Sequence, residues 1–195
     1  MSESQSRRSG DHPAADVVAL LMHRHGDIRN LFDEVEAAAG EQRREAYRRL
    51  VRVLAVHETA EEEVVHPFVR RAFPGGARAV EDRLAEEKAA KESLVTLDDL
   101  DTDDPTFMLR FMKLRRDVQE HARAEERYEF IHIRRSAGSA DLAVMARTFK
   151  AAEALAPTRP YPGVESATAN IALGAVIALI NRTEGAVSRA LGEDG

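Results

Sequence analysis

The chain has 195 residues, 44% hydrophobic and 32% charged, which is enough to bury a sizeable core and excludes a disordered or fibrous polymer. A net charge of −6 argues against nucleic-acid partners, because phosphate binding needs concentrated Lys and Arg. With no cysteine there can be no disulfide, thiolate metal site or cysteine nucleophile, so a metal would need His, Asp, Glu or Tyr; this composition fits the cytoplasm.

Residues 1–14 lack an apolar run behind their arginines and read as a tail rather than a targeting segment. From Ala15 to Ala39, Val18, Leu21, Ile28, Leu31, Phe32 and Val35 recur at helical steps, with Asp16 placed to cap the start. After Gly40 a second helix of about 30 residues carries Tyr47, Leu50, Leu54, Val64, Val65 and Phe68, with Pro67 expected to bend its last turn before FPGG at 73–76. A third helix is expected over 77–97, with Val80, Leu84 and Leu94 inward. Asp104 and Pro105 begin a fourth, on which Phe107, Phe111, Leu114 and Val118 share a stripe.

Four helices without strand-like alternation point to an all-α fold, an antiparallel four-helix bundle over 15–135. Residues 136–195 read as a C-terminal helical extension, with a short helix over 141–154, the loop APTRPYPG and a last helix from about 166 to 191. No chemistry is expected in that appendage. Its ten-residue run IALGAVIALI is about half the length of a bilayer span, so a buried helix or a homodimer surface is expected rather than a membrane anchor.

On the second helix the apolar line Leu50, Leu54, Val64, Phe68 is interrupted by His57 and Glu61; on the fourth, the line from Phe107 to Tyr128 is interrupted by His121 and Glu125. Residues four apart stand one turn above each other on one face, so each pair can address a single ion. Buried carboxylates cost several kcal/mol unless they are paired or bind a cation. His25 on the first helix also faces inward, whereas His23 and His12 do not. His66, Tyr128 and His132 are expected to support the ligands or relay a proton. On the third helix Glu87 lies on the inward line; it reads equally as a ligand or as an i, i+4 ion pair with Lys91.

The segments DVVALLMHRHGDIRNLF, HETAEEEVVHPFVR and QEHARAEERYEFIHIRR resemble the first, second and fourth helices of the hemerythrin-like, or HHE cation-binding, domain family. The loop APTRPYPG resembles an extension often attached to bacterial members. The resemblance implies a non-haem di-iron centre, with His25, His57, Glu61, His121 and Glu125 as ligands and Glu58 a weaker candidate. Many relatives carry a Glu-His pair where this chain has Glu86-Glu87. An anionic donor at Glu87 would harden the site and favour ferric iron or manganese over reversible oxygen carriage, or leave one metal weakly held. Three functions follow from the resemblance: reaction with O2, peroxide or nitric oxide in stress handling or sensing, including peroxide decomposition; an oxygenase or oxidase acting on an organic substrate; or a non-catalytic iron-binding or structural bundle.

Overall fold

A computed structural model of the chain describes residues 16–158. The N-terminal tail, most of the APTRPYPG loop and the last helix with its expected dimer surface lie outside the described residues. Asp16 caps α1 (Val17–Ala37), its carboxylate accepting a 2.7 Å hydrogen bond from the Ala19 amide. The second helical rod comprises α2 (Gly40–Ala60), a π-turn (Glu61–Val65) and α3 (His66–Ala72). Gly75, in the left-handed region at φ +95°, turns the chain into α4 (Gly76–Asp98). At Gly76 a Cβ would meet the Val69 carbonyl oxygen at 2.1 Å, so only glycine lets α4 start so close to α3.

Asp104 caps α5 (Pro105–Ala124), accepting from the Thr106 amide at 2.7 Å, with Pro105 preset for the first turn. That rod continues through a second π-turn (Glu125–Glu129) into α6 (Phe130–Ser136), and α7 (Ser139–Leu155) follows. No strand occurs among the described residues, and no described helix is long and apolar enough to cross a membrane.

Two separate hydrophobic clusters form the core. One gathers Leu21, Val64, Phe68, Val80, Phe130, Ile133, Met145 and Phe149; the other gathers Ile28, Phe32, Tyr47, Leu50, Leu54, Leu94, Phe107, Phe111 and Leu114. Each fully buried Leu or Phe is worth about 1.5–3 kcal/mol relative to exposure. Successive helices cross the clusters in opposite order: α1 and α4 run from the first to the second, whereas the rods beginning with α2 and α5 run from the second to the first. The crossover points are His25, His57 with Glu61, Glu87, and His121 with Glu125, so a polar layer divides the core.

Helix α7, part of the expected appendage, packs on α1, α2 and the first π-turn. Its Phe149 is fully buried in the first cluster, and Arg24 of α1 donates two hydrogen bonds to Glu153, at 2.7 and 2.9 Å. Helix α7, the described part of the expected C-terminal extension, thus lies against the bundle and forms the wall behind the polar layer.

Candidate metal centre

His25, His57, Glu61 and Glu125 are all buried, Glu61 completely, and His121 sits at the edge of the same layer with a side chain 12% exposed. His25 Nε2 stands 3.4 Å from Glu125 Oε2 and 3.8 Å from Glu61 Oε1. His57 Nε2 is 3.4 Å from Glu61 Oε1, and His121 Nε2 is 3.6 Å from Glu125 Oε1. Two triads, His25–His57–Glu61 and Glu61–His121–Glu125, each bring their ligand atoms within 4.8 Å of one another, and Glu61 belongs to both.

The donor set fits a cation. Nε2 of His25 and of His121, both oxygens of Glu61 and Oε2 of Glu125 are buried and have no hydrogen-bond partner among the described residues. Buried polar atoms are nearly always paired, so several unpaired ligand atoms gathered in these two triads indicate positive charge that satisfies them together.

The outward edges of two imidazoles are held. His25 Nδ1 donates to Glu126 Oε1 at 2.9 Å, and Arg29 Nη1 donates to the same oxygen at 3.1 Å. His121 Nδ1 donates to Glu86 Oε2 at 2.9 Å, and Arg83 Nη1 lies 2.8 Å from that oxygen. His57 differs: its Nδ1 has no hydrogen-bond partner among the described residues, and its ring meets the edges of Phe149 at 5.9 Å and His25 at 5.2 Å.

Electrostatics follow from burial. Desolvation opposes charge on His25, yet the Glu125 and Glu61 carboxylates outweigh it and push the imidazole up to about 10. His121 likewise rises to about 10 against its burial, chiefly through Glu125 and Glu86. Burial, reinforced by the His25 charge, lowers His57 to about 3. Burial and the neighbouring Glu125 raise Glu61, whereas Glu125, buried as deeply, is held down at about 2 by His121 and His25.

Glu87 is buried but lies outside both triads; it is hydrogen-bonded to His66, Nε2 to Oε1, at 2.7 Å. Burial pushes the Glu87 carboxyl well up and the His66 imidazole down, which favours a neutral pair. Lys91 pairs with Glu62 at 2.5 Å, so the i, i+4 pairing of Glu87 with Lys91 is replaced by two contacts to other helices. Glu58 is buried, with Oε2 lacking a hydrogen-bond partner among the described residues, and burial raises its carboxyl to about 7.

Tyr128 and His132 lie away from the two triads. Tyr128 is 60% exposed beneath the Arg127 guanidinium, and His132 stacks on Phe73 at 4.0 Å, outside the layer. The cause is the π-turn over 125–129: its extra residue rotates the following helix, so the inward place after Glu125 falls to Glu129, 3% exposed, instead of Tyr128. Burial raises Glu129 to about 7, and it lies 3.6 Å from Arg83. Helical spacing alone does not identify Glu126, Glu86, Arg29, Arg83 or Glu129 as neighbours of the layer. Arg29, one turn beyond His25, was the one available hint.

A cavity of about 20 Å³ touches the layer, lined by His25, His57, Glu58, His121, Arg29 and Gln119 among others, with room on the scale of one water molecule. A larger groove of about 450 Å³, bordered by Arg24, Arg52, Lys150 and Glu153, shares no lining residue with it.

Residues 16–133 match the family model described as the hemerythrin HHE cation binding domain. Among curated proteins, a DNA nickase of Nostoc sp. (strain PCC 7120) is 29% identical over 147 residues, covering 75% of this chain and 41% of that protein. The chain thus spans about two fifths of that relative's length. No solved structure matches the chain.

Proposed function

Because the chain belongs to the hemerythrin HHE cation-binding family, we propose that it holds two non-haem iron ions in the polar layer and reacts there with O2, peroxide or nitric oxide. The observation that carries this reading is the sharing of Glu61 by two ligand triads, since a carboxylate has one oxygen for each of two cations. On this reading His25, His57, His121 and Glu125 complete the spheres, with manganese the alternative metal for so carboxylate-rich a layer. Bound iron supplies redox chemistry and an open coordination position.

The chain's own residues do the rest. The two hydrophobic clusters exclude bulk water from either side of the layer, and Phe149 and Phe130 cover the His57 and His25 rings. Glu58, on the cavity wall, offers an oxygen at which a small ligand can leave or take a proton. Glu87 stands one step back, its carboxyl held by His66.

The water-sized cavity favours a small oxidant over an organic substrate. The nicking activity in the Nostoc relative's name is not carried over, because the chain covers 41% of that protein and its charge of −6 suits phosphate poorly.

Elemental analysis of protein grown with iron and manganese and purified without chelators tests the reading, alongside peroxide consumption. About two iron ions per chain and steady peroxide loss are expected. Retention of much less than one ion would overturn the proposal. Binding without turnover would leave a metal-stabilised, non-catalytic bundle.

A further inference from the structure

Among the described residues, two of the three imidazoles in the triads have a carboxylate behind them, and each of those carboxylates is itself beside an arginine. Glu126, in the second π-turn, reaches across to α1, where His25 and Arg29 both bond its Oε1. Glu86 on α4 accepts a hydrogen bond from His121 Nδ1 on α5 and lies beside Arg83. Arg83 also donates to the His121 backbone carbonyl at 3.4 Å, which ties the two helices where the ligand sits.

An imidazole that donates Nδ1–H to a carboxylate has its tautomer and ring orientation fixed and its Nε2 lone pair made more basic. Both Nε2 atoms face the orphaned carboxylates of the layer. We propose that Glu126 and Glu86, clamped by Arg29 and Arg83, are positioning residues that aim His25 and His121 at the cations and strengthen them as donors. His57, with no such partner among the described residues, is the internal comparison. The inference rests on the di-iron reading for its effect on metal, although the hydrogen bonds stand without it.

The test is anaerobic Fe2+ titration of the full chain and its Glu126→Gln and Glu86→Gln variants, with Glu34→Gln as a control in a surface ion pair with Arg49. Each brace variant should lose about 10- to 100-fold in affinity, and the iron midpoint potential should move positive as donation weakens; the control should change neither. A role confined to tying helices together would lower the melting temperature and leave affinity and potential unchanged, which would overturn the proposal.

Should the carboxylate variants fail to fold, Arg29→Gln and Arg83→Gln loosen the clamps from outside. The same shifts, smaller in size, are then required. Nitrogen-15 NMR of the imidazoles in chelator-treated protein reads the braces independently of iron. Two carboxylate-bonded Nδ1 protons, from His25 and His121, should resonate downfield, each disappearing in the matching variant. If the wild-type chain takes up no iron, the proposed function falls, and these signals alone decide the braces: present they support them, absent they refute them.

Discussion

At the scale of single residues, Glu61 carries the most conflict. It is fully buried, neither oxygen has a hydrogen-bond partner among the described residues, and burial raises its carboxyl above the ordinary range. A raised folded-state value means that ionised Glu61 opposes folding at neutral pH and that the opposition fades as pH falls through that value. Glu61→Gln, which resembles the protonated form, should therefore stabilise the chelator-treated protein by about 1–2 kcal/mol in denaturant titration while abolishing uptake of both ions. His121→Ala should lose only the ion of its own triad. Equal metal loss in the two variants would contradict the shared role of Glu61. Protons report on the same layer. His25 and His121, lifted to about 10, hold protons at pH 7 unless a cation displaces them. Loading should then release protons and tighten as pH rises toward 10. Calorimetry in two buffers of different ionisation enthalpy measures the release, and identical heats in both would contradict it.

At the scale of elements, helix positions and the ligand stripe were legible because amphipathic periodicity records which face is buried. His25, His57, Glu61, His121 and Glu125 sit on that face and do converge. The two π-turns were not legible, since nothing in EEEVV or EERYE announces an extra residue, and the period of 3.6 that located Glu125 misplaced Tyr128 three residues later. Pro67 offers a partial reason for the first turn, because its missing N–H removes one regular helical bond; the second turn has no proline. Helix α7 carries no candidate ligand in its sequence, which therefore reads as an extension. Its contribution is Phe149, which only the fold sets against His57. Phe149→Ala should cost about 3–5 kcal/mol in denaturant titration. It should also weaken iron uptake at the triad containing His57 more than at the triad containing His121. Equal weakening of both would mean that α7 supports the bundle without shaping the layer.

At the scale of the molecule, a polar layer between two hydrophobic clusters is a weak plane. Each cluster buries its apolar side chains, but the layer between them contains like-charged carboxylates, orphaned nitrogens and a small cavity, and it gains little from burial. A cation that binds there joins the four helical rods crossing the plane. Because such a preformed set of ligands does not exist in the unfolded chain, binding free energy becomes folding free energy. At a free ion concentration about 1,000 times Kd the gain is about 4 kcal/mol. For a chain of this size that corresponds to a rise in Tm of roughly 8–16 °C. Scanning calorimetry of iron-loaded and chelator-treated protein should show this rise. Hydrogen exchange should show protection gained first around 57–61 and 121–125, with Leu50 and Phe111, deep in the second cluster, changing least. A rise in Tm spread evenly over every helix, or none at all despite measured binding, would mean that the layer is already rigid without its ions and that the two clusters, not the metal, hold the rods together.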